Sequence, residues 1–181
     1  YASCGSGVGP KAIDQVFGVV KAYTTRVGNG PFPTELLDED GDNLRKIGNE
    51  YGATTGRNRR CGWFDATVVR KAAVVNGLTH LAITKLDVLD SFKEIKICTH
   101  YECDGEILNL IPNQLSKVGR CVPVYESMPG WLSDTTKCRS WDELPQAAKN
   151  YLMRLSELVD VKIGMVSVGA RRDQTIVIDM N

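Results

Sequence analysis

The chain has 181 residues, 43% of them hydrophobic and 24% charged, with 22 basic against 22 acidic side chains and a formal net charge of zero. That length suits about one domain with a well-buried core. The balanced charge excludes a broadly basic nucleic-acid-binding surface, and no apolar run approaches the roughly 18 residues that a bilayer span needs.

The first stretch, YASCGSGVGP, has no basic region and no apolar core, so it does not read as a signal peptide. It also lacks an initiator Met, as expected of a processed or excised piece. Residues 10–23, PKAIDQVFGVVKAY, open on Pro and space Ile13, Val16, Phe17 and Val20 along one helical face, which predicts a helix. A long loop, TTRVGNGPFPTELLDEDGDN, follows; loops of that length in a compact domain are usually functional or disordered. Asp65 is placed to cap a helix through ATVVRKAAVVN, with Gly77 at its end. His80–Thr84 reads as a buried strand, and residues 95–111 as a hairpin turning at Asp104-Gly105.

Residues 122–126 suggest a strand that Pro123 demotes to an edge. Ser140 or Asp142 starts the next helix, with Pro145 in its first turn, and Leu144, Ala148, Tyr151, Leu152, Leu155 and Leu158 recur at helical spacing. Residues 161–169 form a strand ending in a glycine turn, and residues 174–178 a last one. The expected fold class is α/β: a mixed sheet with flanking helices and long ligand-binding loops.

Six cysteines (Cys4, Cys61, Cys98, Cys103, Cys121 and Cys138) are expected to be reduced thiols of a cytoplasmic protein, because a core of this size needs no disulfides. On a regular strand, Cys98 and His100 share a face and Cys103 points to the other. Without a clear fourth ligand, no metal site is expected there.

Three constellations carry chemistry. The segment TTGRNRRCGW places Arg57, Arg59 and Arg60 between Gly56 and Gly62. Guanidinium forks match carboxylate and phosphate oxygens two at a time, and the glycines allow close backbone approach. The competing reading is a solvated basic loop paired with Glu35, Asp38, Glu39 and Asp40. The second is Thr84-Lys85-Leu86-Asp87, directly after a strand, where open α/β sheets bind ligands. A carboxylate there can accept from the adjacent N1 and N2 donors of guanine, as in the Asn-Lys-x-Asp motif of GTP-binding proteins, with a surface turn as the bland alternative. The third, Ser167-Val168-Gly169, is a weak signal for base or sugar contacts.

Taken in order, these pieces resemble the C-terminal part of adenylosuccinate synthetase. The markers are VVKAYTTRVGNGPFPTEL (19–36), GATTGRNRRCGWFD (52–65), LAITKLDVLDSFKEIK (81–96), YESMPGW (125–131) and LPQAAKNYL (144–152), and the likeness runs from about Gly9 to Ile178. That family joins L-aspartate to inosine monophosphate (IMP), using GTP and Mg2+, in AMP biosynthesis. The resemblance implies one C-terminal segment, residues 1–181, of a larger P-loop-related α/β enzyme that is cytoplasmic and homodimeric. It assigns Ala53, Thr54, Thr55, Gly56, Arg57, Asn58 and Arg59 to aspartate, and Arg57 and Val27 to IMP. Arg59, Lys85, Leu86, Asp87, Ser167, Val168 and Gly169 fall to GTP.

Asn58 stands where the family often has a charged residue or Pro, which softens the local positive field. Residues 1–8 lie outside the likeness. No GDEGKGK-like phosphate loop and no equivalent of the family's acid histidine occur in the sequence. The catalytic groups and the magnesium ligands are therefore expected outside this chain, which alone should not turn over. A non-catalytic nucleotide- or dicarboxylate-binding module is the alternative. A GTPase-like switch is disfavoured by the missing phosphate loop.

Overall fold

A computed structural model of the chain describes residues 2–178. It opens with α1 (Ala2–Ser6) and a 3-10 turn at Pro10–Ala12, followed by β1 (Phe17–Lys21) and β2 (Thr24–Arg26). The helix expected over 10–23 is not formed. Val16 and the β-branched pair Val19-Val20 instead feed a parallel ladder that runs from Phe17 opposite His80 to Lys21 opposite Thr84. Partner strands supply hydrogen bonds that a helix would have made internally, so tertiary pairing overrides the local periodicity.

The expected long loop is also interrupted, first by β2 and then by α2 (Glu39–Ile47). The Asp38 carboxylate accepts from the Gly41 N–H to cap α2, and Glu39, Asp40 and Asp42 sit in its first turn, where the helix dipole favours negative charge. Next come β3 (Arg60–Gly62), β4 (Phe64–Asp65) and α3 (Ala66–Asn76). Asp65 caps α3 through the N–H groups of Thr67 and Val68, and Gly77 ends it in the left-handed conformation at φ 60°, both as the sequence suggests.

Strand β5 (His80–Thr84) leads to a 3-10 turn at Leu86–Leu89. Strands β6 (Glu94–Cys103) and β7 (Glu106–Leu108) form the expected hairpin, whose turn residues Asp104 and Gly105 have φ of 54° and 83°. Short α4 (Leu115–Val118) precedes β8 (Val122–Pro129), which pairs antiparallel with β6.

Helix α5 (Gln146–Val159) starts later than Ser140 or Asp142, with Pro145 outside it at the N-cap. A residue before proline is disfavoured in helical conformation, so Leu144 cannot join a helical turn. Strand β9 (Lys162–Ser167), a 3-10 turn at Arg172–Gln174 and β10 (Thr175–Val177) complete the chain.

One sheet has the order β1-β5-β9-β10, parallel except for β10. A second sheet is built around β6, and β2 with β3 makes a two-stranded ribbon. Helix α3 packs on α5 and β6, and a single large core runs beneath them through Leu81, Ile83, Leu152, Leu155 and Val166. The architecture is mixed α/β, as expected.

The register of β6 shifts between Cys98 and His100, leaving Thr99 as an extra residue. That bulge inverts the alternation expected there. Cys98 and Cys103 therefore share one small core with Tyr101 and Cys121, and His100 does not join them. Cys61, Cys98, Cys103, Cys121 and Cys138 are buried free thiols; burial pushes Cys61 and Cys121 up to about 11. The Cys4 side chain lies outside the described residues. Among those residues, no helix is long and apolar enough to cross a membrane.

Candidate functional site

The three arginines of the glycine-flanked loop take three different roles. Arg60 is structural. Its Nε and Nη2 donate to the Glu35 carboxylate at 2.7 and 2.5 Å, while Nη1 donates to the Gly30 carbonyl at 2.8 Å. It thereby ties β3 to the glycine loop after β2. Of the acidic run considered as a partner for this loop, only Glu35 is engaged by one of these arginines, and Asp38 is occupied as a helix cap.

Arg59 turns the other way and donates to the Glu50 carboxylate at 2.9 Å. Its buried Nε has no hydrogen-bond partner among the described residues. Arg57 is exposed, and its guanidinium has no hydrogen-bond or ion-pair partner among the described residues.

Loop 52–57 is closed at its base by a bridge between Tyr51 and Asn58 and by the Gly52 N–H donating to the Arg57 carbonyl at 2.8 Å. Within it the Gly56 N–H donates to the Gly52 carbonyl at 2.8 Å, and Gly56 adopts φ 63°. That backbone conformation favours glycine. Ala53, Thr54, Thr55, Gly56, Arg57 and Asn58 all face solvent. Val27, 77% exposed, leaves β2 at the end of the ribbon where Arg59 enters β3, so it sits beside the same loop.

The second group collects where the parallel strands end. A cavity of about 240 Å³ is lined by Lys21, Thr84, Lys85, Asp87, Ser167, Gly169 and Ala170, just beyond the carboxyl ends of β1, β5 and β9. Lys85 and Asp87 thus meet Ser167 and Gly169, although about 80 residues separate them in sequence. Leu86 and Val168, which lie between these residues in sequence, have 0% exposed area and pack behind the cavity wall rather than lining it.

Lys85 is held in the left-handed region at φ 62°, and its ammonium donates to the Gly48 carbonyl at the end of α2 at 2.6 Å. Burial pushes the Asp87 carboxyl above its ordinary value, and the Lys85 charge opposes that only in part. The Ser167 hydroxyl donates to the Gly169 carbonyl at 2.8 Å.

Glu50 links the two regions. Its side chain is 1% exposed. Oε1 accepts from Lys21 Nζ at 2.7 Å and from the Tyr23 hydroxyl at 2.5 Å, with Lys85 Nζ at 4.0 Å, and Oε2 accepts from Arg59. Burial raises the carboxyl pKa, but the bonds from Lys21, Tyr23 and Arg59 outweigh it and hold Glu50 below the ordinary range. Lys21, Tyr23 and Glu50 were missed in the sequence. The first two lay in a segment read as a helix. The available signal for Glu50 was an acid directly before the Arg loop.

These features define an α/β protein with a cation-rich polar cavity beyond its parallel strands, flanked by an exposed arginine loop. The sequence model of the family "Adenylosuccinate synthetase" matches residues 1–176, which extends the likeness through the first eight residues as well. Adenylosuccinate synthetase of Trichlorobacter lovleyi is 58% identical over 177 residues, covering 98% of this chain and 41% of that protein. The Picosynechococcus enzyme is 58% identical over 178 residues, with 98% and 40% covered.

Among solved structures, that of fully ligated adenylosuccinate synthetase from Plasmodium falciparum superposes with a TM-score of 0.92 at 39% identity. It covers 98% of this chain and 43% of that one. The chain belongs to the adenylosuccinate synthetase family, and it spans about 41% of the length of the relatives it matches.

Proposed function

We propose that this chain is the substrate- and GTP-binding segment of an enzyme that ligates L-aspartate to IMP at the expense of GTP. The observation that carries the reading is the convergence of Lys85 and Asp87 with Ser167 and Gly169 on one cavity. That cavity is joined through Lys21, Glu50 and Arg59 to a loop that presents the unpartnered guanidinium of Arg57.

In the proposed reaction the 6-oxygen of the purine is phosphorylated by GTP, and the aspartate amine then displaces that phosphate. Asp87 accepts the N1 and N2 hydrogens of guanine while the Lys85 stem lies along the base. Ser167 and Gly169 close the base site, with Leu86 and Val168 packed behind them as its support. Ala53 to Arg59 fold over the aspartate, where the Arg57 fork can grip a carboxylate with two donors. Arg57 and Val27 border the IMP, and Arg59 faces the GTP side.

Binding energy from these groups holds the reactants in register, which converts encounter into an effectively intramolecular step. When magnesium is held by the complete protein, it would supply positive charge to offset that on the transferring phosphoryl group. Among the described residues no group of three or more His, Cys, Asp or Glu side chains could hold such an ion. On this reading its ligands, the phosphate loop and the proton-transfer groups belong to the remainder of the polypeptide. A cytoplasmic homodimer belongs to the same reading.

A coupled assay for adenylosuccinate formation tests it. The complete protein should form product from IMP, GTP and L-aspartate, and the isolated 181-residue chain should form none. Product from the isolated chain would contradict the division of labour; no product from the complete protein would overturn the reading itself.

A further inference from the structure

The polar group that both ligand regions share is one that neither of them exposes. Glu50 is buried to 1%, yet it lies among three cations, two from the cavity wall and one from the base of the arginine loop. Lys21, from the end of β1, lines the cavity and donates to Oε1 at 2.7 Å. Lys85, on the turn after β5, lines the same cavity and stands 4.0 Å from Oε1. Arg59, from the base of the arginine loop, donates to Oε2 at 2.9 Å. The Glu50 carbonyl also accepts from the Arg59 N–H at 2.9 Å, so the same residue anchors the loop by backbone and by side chain.

An acid with one oxygen on each side of a boundary can do what two separate ion pairs cannot: it fixes the distance between them. We propose that Glu50 is a positioning residue that sets the Arg59 end of the loop against the Lys21–Lys85 wall of the cavity, so that dicarboxylate and nucleoside triphosphate are gripped together. This deepens the function proposed above and rests on it.

Three features favour positioning over simple stabilisation. The three cations outnumber the single carboxylate, so positive charge remains available for an anionic ligand. Arg59 keeps a buried Nε with no partner among the described residues, a donor left for another acceptor. Lys21 has a further bond to the Thr25 hydroxyl at 3.0 Å, which aims its ammonium from β1 across to β2 and the ribbon that carries the loop. A neutral isostere at position 50 keeps the shape and the Tyr23 hydrogen bond but releases the cations from a common anchor.

The experiment uses the complete protein and the Glu50→Gln variant, with steady-state KM for GTP and for L-aspartate measured separately. Both KM values should rise together, by about tenfold to a hundredfold, while kcat falls much less, because ground-state and transition-state binding are lost alike. Asp65→Ala removes the α3 cap, whose hydrogen bonds to Thr67, Val68 and Tyr101 do not involve this cluster, and serves as the destabilised control; its KM values should stay within about twofold of the unmodified protein. Effects of Glu50→Gln and Arg59→Lys should be strongly non-additive if one acts through the other.

If Glu50→Gln lowers only the melting temperature, or shifts one KM alone, the proposal is overturned. Should that variant not accumulate as folded protein, Glu50→Asp, which keeps the charge and withdraws it by one methylene, is measured for the same paired rise. Unchanged KM values in that variant overturn the proposal equally. Failure here is separable from failure of the proposed function: in the first case the unmodified protein forms product, and in the second it does not.

Discussion

Replacing Asp87 with Asn changes one oxygen into an N–H donor at a cavity wall, and its consequence can be worked through. On the proposed reading each carboxylate oxygen accepts one charge-assisted bond from guanine, worth about 1.5–3 kcal/mol. The amide keeps one acceptor and loses the charge, and its new donor opposes the guanine 2-amino group, leaving donors unpaired. The combined loss is about 3–5 kcal/mol, or roughly two to three and a half decades in kcat/KM for GTP. Xanthosine triphosphate carries an oxygen at the 2-position, so the same amide suits it.

The kcat/KM ratio of GTP to xanthosine triphosphate in the complete protein should therefore fall by at least about a hundredfold. Unfolding does not confound the test. Burial pushes Asp87 above its ordinary 3.8. A carboxyl raised in the folded state makes its greatest contribution to stability below 3.8, and that contribution declines as pH rises through the folded value. A neutral amide at pH 7 should then leave the melting temperature equal or higher. An unchanged base preference in a folded Asp87→Asn enzyme would refute the assignment.

Arg57→Leu should raise the KM for L-aspartate about a hundredfold through loss of a bidentate partner, with the melting temperature nearly unmoved because the guanidinium is exposed and unpartnered. Arg57→Lys, which keeps the charge but not the fork, should recover only part of that loss; a purely thermal effect would favour a structural role. Asp65→Ala removes the cap accepted from Thr67 and Val68 and strands the buried hydroxyls of Thr67 and Tyr101. Urea unfolding should show a loss of about 3–5 kcal/mol, and a loss below about 1 kcal/mol would contradict the burial of that cluster.

Glu50 is held below its ordinary 4.5, so its contribution to stability is complete above 4.5 and lost as pH falls through the lower folded value. Melting curves between pH 7 and about pH 3 should show this acid limb flattened in Glu50→Gln. An identical limb in the variant would remove the basis for that assignment.

Much of the molecule could be read from local chemistry. Strand β5, the cap at Asp65, the left-handed stop at Gly77 and the turn at Asp104-Gly105 each depend on a residue's own backbone and its near neighbours, so the sequence alone determined them. The resemblance carried by long segments such as GATTGRNRRCGWFD determined the family. Pairing between distant strands decided the rest. The segment 17–21 has a helical spacing of apolar residues, yet the ladder with β5 made it a strand, and only then did Lys21 reach the cavity.

One bulged residue, Thr99, reversed which side chains share a face around Cys98, which no period-two reading can foresee. The three arginines are alike in sequence. Whether each meets Glu35, Glu50 or solvent depends on where β2, α2 and β3 place those acids. Glu50 itself is one acid among 22 in the sequence and becomes distinctive only where tertiary structure closes three cations around it, since interaction between charges depends on distance and burial, not on order along a chain.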